Sequence, residues 1–276
     1  MNKLLQKKID KYQHFLLASL FKKKRLTRLS QHSQLGRIIA SAFIKVDKNS
    51  FSKQEKRGFQ NLELYREKLS LSKEVIAFDE LGAQRSLLVK EIVQKAAAPT
   101  QWAKFYYSLV VNLKVSTILE LGTNLGVSGQ YLLQAIADQP KASLISLEGI
   151  KRMCELAHER FYELDTKANF RVIHGTFDQS LEKIEKENKT FDFVFLDGDH
   201  QYDSTIKYVN WIIKQAKPNC VIVLDDIYWS PDMKSAWNTI RKHPDINLSV
   251  DLFKLGIVCI GQSKNKPLHT QLFLNF

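Results

Sequence analysis

Thr117–Gly129, TILELGTNLGVSG, is the stretch from which the fold can be read. Ile118, Leu119 and Leu121 form a short apolar run of the kind buried on both faces of a parallel sheet. Gly122 and Gly126 bracket a turn into a helix that starts near Val127. Such a turn sets backbone N–H groups at the carboxyl end of a strand. Gly122 lets a ligand approach the main chain, Thr123 lies within the turn, Ser128 adds a hydroxyl in the first helical turn, and Glu120 is an acid in an otherwise apolar strand. The glycines fall as G-x-x-x-G-x-x-G with an acid two positions before the first, not as the G-x-G-x-x-G that a dinucleotide pyrophosphate needs. A nicotinamide-dependent oxidoreductase is therefore the least favoured enzyme class.

Downstream the pattern repeats. Apolar runs at 117–122, 143–148, 170–175, 191–197 and 220–226 predict strands, and the segments 127–138, 150–164, 178–187, 202–216 and 231–242 predict helices. Alternation of this kind builds a parallel sheet with helices on both faces and a ligand crevice beyond the carboxyl ends of the strands. Segments 247–253 and 256–261 leave no room for a helix between them, so they predict a hairpin and an antiparallel strand. Upstream, 28–46, 52–69, 86–97 and 100–113 predict helices, and 70–85 an irregular link.

Each predicted strand ends in polar residues. LISLEG closes the second with Glu148, and HGTFD follows the third with Gly175, Thr176, Phe177 and Asp178. FDFVFLDGDHQYD ends the fourth with Asp197, Asp199, His200 and Asp203, and VIVLDDIYW ends the fifth with Asp225 and Asp226. A carboxylate such as Glu148 can accept both ribose hydroxyls of an adenosine. Carboxylates crowded at adjacent strand ends repel one another and raise each other's pKa, a conflict that a hard cation with oxygen ligands would remove.

Glu120, Gly122, Gly126 and Ser128, written E-x-G-x-x-x-G-x-S, resemble the first motif of class I S-adenosylmethionine-dependent methyltransferases, and the catechol O-methyltransferase type in particular. The resemblance covers about residues 85–276 and joins four motifs in order. It implies an α/β fold with a Rossmann-like class I methyltransferase sheet, mostly parallel with the last strand antiparallel, behind an N-terminal helical extension over residues 1–84. It assigns S-adenosyl-L-methionine to Glu120, Gly122, Thr123, Gly126, Ser128, Glu148, Gly175, Thr176, Phe177 and Asp197. Metal-dependent members end the fourth strand in an aspartate and the fifth in an Asp-Asn or Asp-Asp pair, which places Mg2+ or another divalent cation at Asp197, Asp225 and Asp226. Their catalytic lysine, three positions after the first aspartate, is replaced here by His200, leaving Asp197 and His200 as the catalytic pair. The implied activity is methyl transfer to an oxygen of a small-molecule acceptor, with Tyr228 and Trp229 either walling the acceptor or packing on the following helix. Two rivals stay open: a metal-free methyltransferase acting on nitrogen or on a larger acceptor, and a membrane-surface binding protein with a vestigial cofactor pocket.

Composition narrows the partners. Of 276 residues 44% are hydrophobic, enough for a large core, and the net charge of +12 is unevenly spread. Residues 1–60 hold 15 Lys/Arg against 3 Asp/Glu, and the rest of the chain balances 26 against 26. A neutral body argues against nucleic acid as the substrate of the central site. Leu4, Leu5, Ile9, Tyr12, Phe15, Leu16 and Leu20 share one helical face opposite Lys3, Lys7 and Lys11, and Lys22–Arg25 add a cationic cluster. Residues 1–25 thus suit either an anionic membrane surface or docking on the domain or a second subunit, as in a homodimer. Cys154, Cys220 and Cys259 are too far apart for a zinc site, and odd in number for a disulfide framework. With no apolar run long enough to span a bilayer, the expectation is a cytoplasmic protein, or one peripheral to the inner face of the membrane.

Overall fold

Five alternating strands and helices do follow from Thr117, in a computed structural model that describes residues 20–164, 166–261 and 266–274. In chain order the described elements are α1 (Lys22–His32), α2 (Gln34–Asp47), α3 (Lys53–Ser70), β1 (Val75–Ala77), β2 (Ser86–Leu88), α4 (Val89–Ala96), α5 (Thr100–Leu113), β3 (Thr117–Leu121), α6 (Val127–Ala135), β4 (Ser143–Glu148), α7 (Lys151–Glu163), β5 (Asn169–His174), α8 (Phe177–Lys186), β6 (Phe191–Leu196), α9 (Tyr202–Lys214), β7 (Ala216–Leu224), α10 (Pro231–Ile240), β8 (Ile246–Asp251), β9 (Gly256–Ile260) and β10 (Leu268–Gln271). They divide into two units, Lys48–Val194 and the described residues on either side of it, with the boundary inside β6.

In the unit Lys48–Val194, β3, β4 and β5 pair in parallel, with Leu121 opposite Leu147 and Glu148 opposite His174. Ile118, Leu119, Leu121, Leu144, Ile145 and Leu147 are all buried, as expected of central strands covered on both faces. β6 borders β3, and Asp192 at its start accepts from the backbone N–H of Ser116 at 2.9 Å and of Thr117 at 2.8 Å, fixing where β3 begins. α3 starts at a capping box in which Ser52 and Glu55 satisfy each other's backbone N–H. The segment 70–85 is more ordered than its sequence suggests. β1 and β2 form a short antiparallel hairpin around it, so that strand β2 takes the first residues of the helix expected from 86.

In the other unit β7, β9, β8 and β10 follow β6 in sheet order. β9 runs antiparallel to both β7 and β8, the hairpin that the spacing of 247–261 required. One further strand, β10, lies parallel to β8; its four residues carry too little pattern to be read in advance. The expected helix over 28–46 is two helices. Ser33 is extended between α1 and α2, its hydroxyl accepts from the Gly36 N–H at 3.0 Å, and an added Cβ at Gly36 would stand 2.2 Å from the Leu29 carbonyl oxygen. The break lets the two helices close together at Gly36. The sheet is mixed and mostly parallel with flanking helices, as expected. All three cysteines are buried free thiols. The amphipathic helix read over residues 3–20 lies, but for Leu20, outside the described residues.

Candidate active site

The turn after β3 is built over a buried acid. Gly122 (φ +100°), Asn124 (φ +50°) and Gly126 (φ +78°) all take left-handed backbone conformations, and Gly122 and Thr123 both donate to the Leu147 carbonyl at 3.0 Å. Beneath them Glu120 is fully buried. Its Oε1 accepts from the Ser128 hydroxyl and its Oε2 from the Ser146 hydroxyl, each at 2.5 Å. The Thr123 and Ser146 hydroxyls stand 2.5 Å apart, and either can donate to the other. Burial pushes the Glu120 carboxyl up to about 7 against the pull of the two serines. Glu120, Thr123, Ser128 and Ser146 are thus a support under the turn. Gly129 belongs to it as well: an added Cβ would stand 2.7 Å from Glu120 Oε2 and 2.4 Å from the Phe161 ring.

Glu148, at the end of β4, is tied to the same turn. Its Oε2 accepts from the Asn124 N–H at 2.7 Å and its Oε1 from the Ile150 N–H at 3.0 Å, which fixes both oxygens. Burial raises its pKa, opposed by those backbone donors. After β5, Gly175 takes φ +144°, and Thr176 caps α8 in a second capping box with Gln179. The Thr176 hydroxyl is therefore engaged by the helix, while Phe177 opens that helix half-buried. The β1–β2 hairpin comes to these strand ends, which its sequence did not announce. Glu80 Oε2 lies 2.7 Å from His174 Nε2, Glu80 Oε1 accepts from the Lys151 N–H at 3.2 Å, and Leu81 covers Gly149.

In the other unit the acids after β6 and β7 form a second cluster. Asp225 is 3% exposed, and its backbone N–H donates to the Leu196 carbonyl at 2.9 Å, linking the ends of β7 and β6. His200 Nε2 lies 3.6 Å from Asp197 Oδ1, an ion-pair distance too long for a hydrogen bond, and its buried Nδ1 has no partner. Burial lowers the His200 pKa, with Asp226 pulling the other way. The Trp229 ring stands 6.5 Å from that of His200 and is 60% exposed, whereas Tyr228 stacks on Phe253 at 5.0 Å and donates to buried Asp251 at 2.8 Å. Tyr228 is thus part of the loop's own support.

These acids do not fit the divalent cation that the resemblance assigned to Asp197, Asp225 and Asp226. Lys254 Nζ sits 2.7 Å from Asp225 Oδ1 and 2.9 Å from Asp226 Oδ1, and Asp225 Oδ1 also accepts from the Asp226 N–H at 2.6 Å. Among the described residues no three His, Cys, Asp or Glu side chains gather in a way that could hold a metal ion. The charge conflict is relieved by an ammonium instead. Burial pulls that ammonium down, but the two carboxylates outweigh it and hold Lys254 above the ordinary lysine range. Lys254 was not legible because its partners lie 28 and 29 residues earlier in the chain.

The mixed sheet and the acid-supported glycine turn at the end of its first long strand define a class I methyltransferase fold. Residues 119–227 match a family described as "Methyltransferase domain". It is 26% identical over 133 residues to a catechol O-methyltransferase of Mycobacterium tuberculosis and 30% identical over 138 residues to an uncharacterized protein of Acanthamoeba polyphaga mimivirus. The matches take in 48% and 45% of this chain, which spans 58% of the length of each of these curated relatives. Among solved structures it is similar to an O-methyltransferase of Streptomyces achromogenes in complex with SAM (20% identity, 60% of this chain and 82% of that one, TM-score 0.54). It is likewise similar to an SAH-bound methyltransferase of Podospora anserina (17% identity, 78% and 97%, TM-score 0.52). These two likenesses are of fold.

Proposed function

We propose that the chain is an S-adenosylmethionine-dependent methyltransferase that transfers a methyl group to an oxygen of a small molecule, with residues 85–276 as its catalytic domain and 1–84 as a helical extension. The observation that carries the reading is Glu148, held by the Asn124 N–H so that a carboxylate stands beside the glycine turn. In this reading that carboxylate accepts the ribose hydroxyls of the cofactor. The turn at Gly122–Gly126 lies against its amino-acid end, and the Gly175–Phe177 segment lies along the adenine. Glu120, Thr123 and Ser128 act from below by holding the turn's shape. The names of the relatives and neighbours, methyltransferases among them, support the same chemistry.

The methyl group of a sulfonium is already activated, so the protein's task is to align acceptor oxygen, methyl carbon and sulfur in line. His200 supplies the base. Asp197 stands on its Nε2 side, and burial favours the neutral ring. An acceptor hydroxyl donating to the neutral ring would begin the proton transfer. No step is assigned to a metal, because Lys254 occupies the acids that would hold it.

Calorimetric titration tests the reading. S-adenosylmethionine or its demethylated product should bind the full chain, and Glu148→Ala should weaken that binding by about 1.5–3 kcal/mol, the usual range for hydrogen bonds to a charged group. His200→Gln should bind cofactor like the wild type but fail to form demethylated cofactor with hydroxylated acceptors. Tighter binding of NAD than of S-adenosylmethionine would sink the proposal.

A further inference from the structure

We propose that Lys254 is a built-in cation of this site, a positioning residue that occupies permanently the place against Asp225 and Asp226 where a divalent metal would have to bind. The inference rests on the methyltransferase reading for its meaning, but its evidence is the geometry of one loop pair. The ammonium bridges both carboxylates, at 2.7 and 2.9 Å, and its acceptor on Asp225 is the oxygen that also caps the Asp226 N–H. Asp225 is 3% exposed and the Lys254 side chain 27%, so the pair is largely withdrawn from water, and neither charge can leave without stranding the other.

The backbone shows that this is construction rather than a chance contact. Lys254 lies in the tight turn between β8 and β9, closed by the Leu252 N–H donating to the Leu255 carbonyl at 2.8 Å, with Phe253 left-handed at φ +68°. Asp251 Oδ1 accepts from the Phe253 N–H at 2.9 Å, and its Oδ2 accepts from the Tyr228 hydroxyl at 2.8 Å. The loop carrying the acids is bound back to the turn carrying the lysine: the Ile227 N–H donates to the Lys254 carbonyl at 3.2 Å, and Tyr228 stacks on Phe253. Gly256 closes the turn against Trp237, where an added Cβ would stand 2.5 Å from the ring. Every one of these contacts fixes where the lysine stem leaves the backbone relative to Asp225 and Asp226. A divalent ion needs six or more oxygen ligands, and it would have to displace an ammonium whose stem is anchored on both sides and then remain next to it. Lys254 therefore does two things at once: it holds the two carboxylates in a fixed arrangement, and it makes the site independent of divalent cations.

Manganese binding separates this role from a merely structural one. The full chain is titrated with Mn2+ alone and free Mn2+ is followed by electron paramagnetic resonance, for the wild type, Lys254→Met, Lys254→Arg, Asp225→Asn and the double variant Lys254→Met with Asp225→Asn. The wild type and Lys254→Arg should leave millimolar Mn2+ free. Lys254→Met should bind it at least tenfold more tightly than the wild type, and Asp225→Asn should cancel the gain. Wild-type protein that binds Mn2+ as tightly as Lys254→Met, or a folded Lys254→Met that gains no binding, overturns the proposal. If Lys254→Met does not fold, the wild type decides: Mn2+ bound by it and lost in Asp225→Asn overturns the proposal, and Mn2+ left free by both the wild type and Lys254→Arg supports it. S-adenosylmethionine titrated into the same samples reads the underlying function separately, since a chain that binds no cofactor refutes that reading and leaves the manganese result standing.

Discussion

Glu120 is an acid whose role is set by being out of reach of water. Its ordinary value is 4.5, and burial raises it to about 7, so the folded chain holds the proton more tightly than the unfolded one. Its contribution to stability is therefore complete below about 4.5 and is lost as pH rises through about 7, and the gap corresponds to about 3 kcal/mol. Glu120→Gln keeps the neutral shape at every pH. The difference in unfolding temperature between the variant and the wild type should accordingly move in the variant's favour from pH 5 to pH 8. A difference that stays constant over that range would mean that the carboxyl does not hold its proton in the fold.

Among the elements, α3 does most to shape the turn although it lies outside the methyltransferase resemblance. The Tyr65 hydroxyl donates to the Leu125 carbonyl within the turn at 2.7 Å, and Arg160 lies over the same ring. Just before it in the same helix, Glu63 accepts from Tyr131 at 2.8 Å and from Thr100 at 2.7 Å, and Gln130 donates to the Leu62 carbonyl at 3.1 Å, so α3 is fastened to α6. Tyr65→Phe removes one donor and strands a buried carbonyl, which should lower stability to urea by about 1–2 kcal/mol. Since that carbonyl belongs to the turn, cofactor affinity measured by calorimetry should fall with it. Unchanged values for both would show that the turn holds its shape without the helix.

At the scale of the whole molecule the uneven charge is what remains to be used. Within the basic cluster Lys22 pairs with Asp47 at 2.5 Å and Arg25 donates to the Gln271 carbonyl at 3.0 Å, while Lys23 and Lys24 are exposed. No described helix is long and apolar enough to cross a membrane. We propose that residues 1–25 place the chain on an anionic membrane surface, each basic residue near the surface adding about 1 kcal/mol that salt screens. The full chain should sediment with anionic vesicles at low salt and detach as salt rises. A chain starting at Leu20, which keeps the Lys22 and Arg25 contacts, should stay in solution with its cofactor affinity intact. If the shorter chain instead loses thermal stability or splits from a dimer, and the full chain ignores vesicles, the helix docks on protein.

What the amino-acid sequence determined by itself is everything that acts over a few residues. The strand-turn-helix at Thr117–Gly129, the alternation after it, the 247–261 hairpin and the acids at the strand ends all follow from periodicity, glycine spacing and loop length. Each strand, turn and helix start among those signals is set by residues close together in the chain. The break at Ser33 and the hairpin over 75–88 escaped because each depends on a partner the local pattern does not name, Leu29 against Gly36 and Glu74 against Val89. The choice between a metal and an ammonium escaped for the same reason. Asp225 and Asp226 would look identical in either case, because the repulsion between them is local while its relief is not. Only the fold of β8 and β9 onto the acid-bearing loop brings Lys254 to them, and that contact, made across 28 residues of chain, is a property of the tertiary structure alone.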